Sequence, residues 1–102
     1  MINIRTIRKL SDNDGLTLKK GKKIAYKTGW QVADHGVECK TPEAAIKAVR
    51  ELGGDCGIWY SDGIYYIDHS FRVDTKKKAL EIGRRHNQIS ALGWQKMNLA
   101  YC

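Results

Sequence analysis

The sequence predicts an α+β fold of order β-α-β-β-α-β, and three observations predict it. The chain carries an internal repeat at an offset of 34 residues, each copy holds one capped helix between two strand signals, and an Asp-Gly turn joins the copies. Sliding residues 29–60 onto 63–94 without gaps aligns six identities: Gly29 with Gly63, Asp34 with Asp68, His35 with His69, Thr41 with Thr75, Ala45 with Ala79 and Arg50 with Arg84. Apolar positions coincide too, among them Val37 with Phe71, Ile46 with Leu80, Ala48 with Ile82 and Tyr60 with Trp94. Caps, core positions and strands therefore recur together, as they do when one supersecondary unit is used twice.

Taken in order, residues 1–28 are a basic extension. In it Leu16-Thr17-Leu18, a cationic tip at Lys19–Lys23 and Ile24-Ala25-Tyr26 read as an additional β-hairpin. The first copy, 29–60, opens on a strand at Trp30–Ala33. Thr41-Pro42-Glu43 then starts a helix: threonine supplies a capping oxygen, proline fits the first helical position, and glutamate meets the positive end of the dipole. Ala45, Ala48, Val49 and Leu52 recur at helical spacing, Gly53-Gly54 ends the helix, and Cys56–Tyr60 returns as a strand. Asp62-Gly63 is the strongest short hairpin signal in the chain. The second copy, 63–94, repeats the pattern with a strand at Ile64–Asp68, a cap at Asp74-Thr75, and Ala79, Ile82, Gly83 and His86 on the inner face of its helix. Asn87 suits the left-handed position that closes that helix, Ile89–Gly93 is the next strand, and Gln95–Asn98 turns the chain into a last one at Leu99–Tyr101. This is the ferredoxin-like split βαβ order, four antiparallel strands with two helices on one face, with an extra N-terminal β-hairpin.

At 102 residues the chain is expected to be a single domain, 1–102, large enough to bury a core without metal or disulfide staples. No stretch reaches the roughly 18 apolar residues of a membrane helix. Met1-Ile2-Asn3-Ile4-Arg5 lacks the apolar block of a signal peptide. Three cysteines, Cys39, Cys56 and Cys102, are an odd count with no close pair, which argues for a reducing compartment and against a disulfide framework. A zinc site drawn from Cys39, Cys56 and His35 has no close ligand pair to anchor it.

The formal charge of +7 is unevenly spread. Residues 1–28 carry +6, residues 29–62 carry −3 and residues 63–102 carry +4, which suggests a basic surface facing an anionic partner. Its candidate residues are Lys19, Lys20, Lys22 and Lys23 at the hairpin tip, with Arg72, Lys76, Lys77, Lys78, Arg84 and Arg85 on and just before the second helix. If the hairpin lies near that helix, these cations form one strip suited to phosphates.

Catalytic chemistry is not expected. The Asp34-His35 and Asp68-His69 doublets, placed at strand ends on opposite edges of the sheet, would lie about 15 Å apart and share no site. His86 reads as a partly buried structural histidine near a helix C-terminus, and no Ser/His/Asp spacing, phosphate loop or HExxH motif occurs. Alternation assigns Trp30, Val32, Ile58, Tyr60, Ile64, Tyr66, Leu92 and Trp94 to the helix-facing core. Gln31, Ala33, Trp59, Tyr65 and Ile67 then point the other way, with Trp59 and Tyr65 as a stacking platform for bases. The N-terminal hairpin or a second subunit, as in a homodimer, could instead cover these aromatics.

The segment Tyr66–Ser90, YIDHSFRVDTKKKALEIGRRHNQIS, resembles a β-α-β element of phage and mobile-element proteins, including large polyvalent proteins. KTGWQVADHGVECKTPEAA, Lys27–Ala45, is similar to small phage-type proteins. The resemblance implies no catalytic residue and no cofactor. It implies a phage- or mobile-element-encoded inhibitor of a host defence complex, of the anti-CRISPR kind, acting in the bacterial host cytoplasm on a ribonucleoprotein or nuclease complex. Two other readings stand beside it: a general RNA or single-stranded nucleic-acid-binding module, and a sponge that sequesters a nucleotide signal between subunits.

Overall fold

The computed structural model describes residues 2–53 and 55–102, so Gly54 of the expected Gly53-Gly54 helix stop lies outside the described residues, as does Met1. The elements are α1 (Ile4–Arg8), β1 (Gly15–Lys19), β2 (Lys22–Lys23), β3 (Trp30–Cys39), α2 (Pro42–Glu51), β4 (Cys56–Ser61), β5 (Ile64–Val73), α3 (Lys76–Arg85), β6 (Ser90–Gly93) and β7 (Asn98–Tyr101). The class is α+β: one seven-stranded sheet in the order β2-β1-β4-β5-β3-β6-β7, antiparallel at each pairing, with the helices on one face.

The two long helices form as their caps dictate. Thr41 Oγ1 accepts from the Ala44 amide at 3.1 Å, and Thr75 Oγ1 accepts from the Lys78 amide at 3.2 Å, each cap contributing about 1 kcal/mol. The residue spans of α2 and α3 are offset by the repeat period, and so are those of β3 and β5. α2 buries Ala45, Ile46, Ala48 and Val49 in a cluster with Leu18, Cys56, Ile58, Tyr65 and Ile67. Removing from water a side chain as large as Ile67 or Leu18 contributes about 1.5–3 kcal/mol. α3 covers a second, smaller cluster of Val32, Val73, Ala79 and Ala91.

The N-terminal extension holds more than a hairpin. Asn3 caps the five-residue helix α1 through its side-chain oxygen, which accepts from the Arg5 and Thr6 amides, and α1 drives Ile7 into the α2 cluster. Ile4, Thr6 and Ile7 are β-branched, so propensity gives no helical signal here and burial of Ile7 decides the conformation. The hairpin itself turns at Lys20 and Gly21, both at positive φ, and its second strand is two residues long. Ile24–Gly29 then crosses from β2 at the sheet edge to β3 near its middle. Tyr26 packs edge-on against Trp94 at 5.7 Å and under the Arg72 guanidinium at 5.6 Å, so this crossing lies over the face opposite the helices.

Strand phase departs from the simple alternation in β5 and β6. Asp62 and Gly63, at φ 50° and 77°, form a two-residue turn, which places Ser61 opposite Ile64, Tyr60 opposite Tyr65 and Trp59 opposite Tyr66. Tyr60 faces the helices, hence so does Tyr65, whose ring lies 4.5 Å from that of Tyr60. Tyr65 is 6% exposed and Ile67 is fully buried, so neither belongs to the open face, and Ile64 and Tyr66 point away from the helices instead. In β6, the pairing of Trp30 with Gly93 and Gln31 with Leu92 turns Leu92 to the open face. Trp94 is buried, but beneath Tyr26 on that same open face.

The register predicts an unequal cost for two adjacent tyrosines. Tyr65→Ala should lower unfolding stability by about 3–5 kcal/mol in urea titration, and Tyr66→Ala by less than half as much.

Candidate functional site

Two features of the sheet bring chemically capable groups together. The first lies at the centre of the β3–β5 pair. β3 and β5 run antiparallel in register from Trp30 opposite Val73 to Cys39 opposite Tyr65, with a bulge between Ala33 and His35. His35 stands directly opposite His69, and their rings stack 5.2 Å apart at 22°. Asp34 is the extra residue of the bulge. Its Oδ1 lies 2.6 Å from Nδ1 of His35 and 2.9 Å from Nδ1 of His69. The doublets therefore meet, contrary to the 15 Å separation expected from their sequence positions, because both fall in mid-strand rather than at strand ends. Burial pushes the Asp34 carboxyl up, but hydrogen bonds and charge from His69 and His35 outweigh it and hold the group below the ordinary aspartate value of 3.8.

Asp68, the other doublet aspartate, goes to the opposite face. It lies over Gly36, where a Cβ would collide with its carboxylate and come within 2.7 Å of the Ile67 carbonyl, so β3 can carry only glycine there without a shift. Burial pushes the Asp68 carboxyl above 3.8, and the charge of His35 offsets this only in part.

The zinc site conceived from Cys39, Cys56 and His35 does not assemble. The cysteines belong to different pairs, Cys39 with Tyr65 and Cys56 with His69, and burial together with Asp55 and Asp68 pushes the Cys56 thiol up to about 11. His86 is an exposed C-cap of α3 rather than a part of the core.

The second feature is the open face of the sheet. Gly57, Thr17, Ala33 and Ser70 form a floor of small side chains in a concavity of about 670 Å³. Trp59, Ile24 and Lys23 stand along one wall, and Leu92, Met97, Leu99 and Ile89 along the other. Trp59 is 46% exposed and leans over Gly15, where a Cβ would sit 3.2 Å from its ring. A polar chain holds the floor: the Trp94 indole donates to Gln31 Oε1 at 3.2 Å, and the Gln31 amide donates to Ser70 Oγ at 3.1 Å. Beside it lies a smaller recess of about 340 Å³, lined by Lys19, Tyr26, Asp55 and Arg72.

The candidate residues named from the sequence divide among these places. Trp59 is in the concavity wall and Tyr65 is buried beneath α2, so the expected pair of stacking rings does not form. Lys19 and Lys23 border the two hollows, with Lys20 and Lys22 exposed at the same tip. Lys76, Lys77, Lys78, Arg84 and Arg85 are exposed on α3, which packs on β3 and β6, whereas the hairpin pairs with β4. β4 and β5 separate the two groups, so they form two cationic regions and not one strip. Arg72 is engaged within the fold: it donates to the Thr28 carbonyl at 2.9 Å, to Thr28 Oγ1 at 3.1 Å and to Asp74 at 2.6 Å, and so clamps the crossing segment to β5. The Asp34–His35–His69 group was expected not to assemble, yet its signal was present: both histidines are equivalent positions of a repeat whose copies pair antiparallel.

Comparison of the chain with protein-family models, with curated proteins and with solved structures finds no match. Among the described residues no helix is long and apolar enough to cross a membrane.

The pH response of Asp68 follows from its raised pKa. The folded chain holds the Asp68 proton more tightly than the unfolded chain, so ionisation destabilises the fold as pH rises from 3.8 through the folded value. Asp68→Asn is therefore expected to raise the melting temperature at pH 7, with the gain shrinking as pH falls toward 3.8.

Proposed function

We propose that this chain is a non-enzymatic binding protein whose open sheet face receives a nucleic-acid-bearing partner. The observation that carries this reading is the concavity opposite the helices, with the half-exposed Trp59 in a wall that also carries Lys23. An unstacked base finds there an aromatic surface, and the adjoining lysine tip meets its phosphates. Ser70, Gln31 and Asp68 at the floor offer donors and acceptors to base edges. The biological setting we propose is inhibition of a host defence ribonucleoprotein by a phage- or mobile-element-encoded protein in the bacterial cytoplasm. The finer fold reading we propose is ferredoxin-like: the inner order β4-β5-β3-β6, with α2 and α3 on one face, supports a split βαβ core, and β1–β2 and β7 extend it.

A second reading, capture of a small nucleotide, is favoured by the recess that Lys19 and Tyr26 line. The two differ in what competes: mononucleotides should displace a strand only under the second.

The test is fluorescence anisotropy of labelled single-stranded RNA and DNA at about 50 and 200 mM salt. Binding should weaken steeply with salt. Trp59→Ala should reduce affinity by about 5- to 150-fold, the value of one stacked base, and Lys23→Ala should lower the salt slope by about one. Absence of a salt slope, or an unchanged affinity for Trp59→Ala, overturns the reading.

A further inference from the structure

We infer that Asp34, His35 and His69 form a binding site for one divalent transition-metal ion accepting nitrogen and oxygen ligands, such as zinc or cobalt. The geometry carries it. One potential donor atom from each residue lies within 4.8 Å of the others, and both imidazole Nδ1 atoms aim at a single carboxylate oxygen from adjacent strands. Zinc holds histidine nitrogen and carboxylate oxygen at about 2.0–2.2 Å, so donors around a tetrahedral ion stand roughly 3.3–3.5 Å apart. The present separations of 2.6 and 2.9 Å reach that spacing by movements of less than about an ångström. An ion would sit between the donor atoms that now meet in the two Nδ1···Oδ1 contacts.

The surroundings favour an ion over a cluster serving stability alone. His35 has 64% of its side chain exposed, so its contact with Asp34 is of the surface kind that contributes little to stability. Yet β3 gives up regular pairing at Asp34 to bring that carboxylate beside two histidines, and bulges of this kind recur where a side chain must be re-aimed. The rings stack 5.2 Å apart with both Nδ1 atoms turned toward Asp34, so both already face the position of a shared ion. Two histidines and one carboxylate match the borderline divalent ions, and the exposed side of His35 leaves a further position to water.

The experiment titrates the untagged full chain with Zn2+ by calorimetry and with Co2+ by visible absorption. One ion per chain should bind with micromolar or tighter affinity, and Co2+ should give ligand-field bands without a thiolate charge-transfer band. His35→Ala, on an exposed strand position, and Asp34→Asn should each weaken binding about 100-fold while near-ultraviolet circular dichroism stays native. In wild type, Zn2+ at about a hundredfold excess over its Kd should raise the melting temperature by about 10 °C or more. No saturable binding, native-like affinity in folded His35→Ala, or a thiolate band from an ion held at the exposed Cys102 overturns the inference.

Discussion

The antiparallel pairing of β3 with β5 is the constraint on which the rest of the molecule depends. It joins two ten-residue strands at the centre of the sheet, each from one copy of the repeat, and every other strand is added outward from them. Because the copies are offset by one period and run in opposite directions, equivalent positions meet where the local two-fold crosses the pair. That position is His35 opposite His69. The bulge beside it breaks the symmetry by one residue, so Asp34 and Asp68, equivalent in sequence, leave the sheet on opposite faces.

The same geometry divides the hydrophobic core. The residues beneath α2 and those beneath α3 form two separate clusters, and the stacked histidines lie between them on the helix side of the sheet. His69 bridges both, paired with Cys56 of the first cluster and 5.8 Å from the ring of Phe71 beside the second. A polar seam here interrupts the apolar layer just where the repeat would otherwise place its most central residues. Its donors and acceptors are matched among themselves, which keeps the desolvation of Asp34 from becoming a large penalty.

Much of the scaffold was legible in the sequence. Thr41-Pro42-Glu43, Thr75 and the Asp62-Gly63 turn each carry a local physical signal, and the elements they bound fall where those signals put them. What was misread required a count across a turn. In a two-residue hairpin the paired positions sum to a constant odd number, so the even Tyr60 faces the same way as the odd Tyr65. Alternation continued straight from Tyr60 to Tyr66 reverses β5 and places Tyr65 and Ile67 in solvent. The strands were also drawn too short, ending near Ala33 and Asp68, and that alone moved the histidine doublets apart. The bulge at Asp34 has no local signature, and the helix α1 has only its Asn3 cap. One depends on a partner strand, and the other on the burial of Ile7.

The placement of charge follows from connectivity rather than from helix or strand preference. A chain entering at the sheet edge must cross to β3, and the Ile24–Gly29 segment does so over the open face, held by Arg72 and Tyr26. That crossing covers one end of the face and leaves the Trp59 end uncovered, with the lysine tip beside it. It also commits Arg72 to structure, since a guanidinium with three partners is not free to follow a phosphate. The cations of α3 lie on the other face, beyond the central strands. A ligand spanning both groups would have to wrap the sheet edge, whereas one lying across the open face meets Lys19, Lys23 and Trp59 together. The difference in charge between the repeat copies thus creates a second basic surface on the helix side, and the open face owes its lysines to the N-terminal extension that the repeat does not contain.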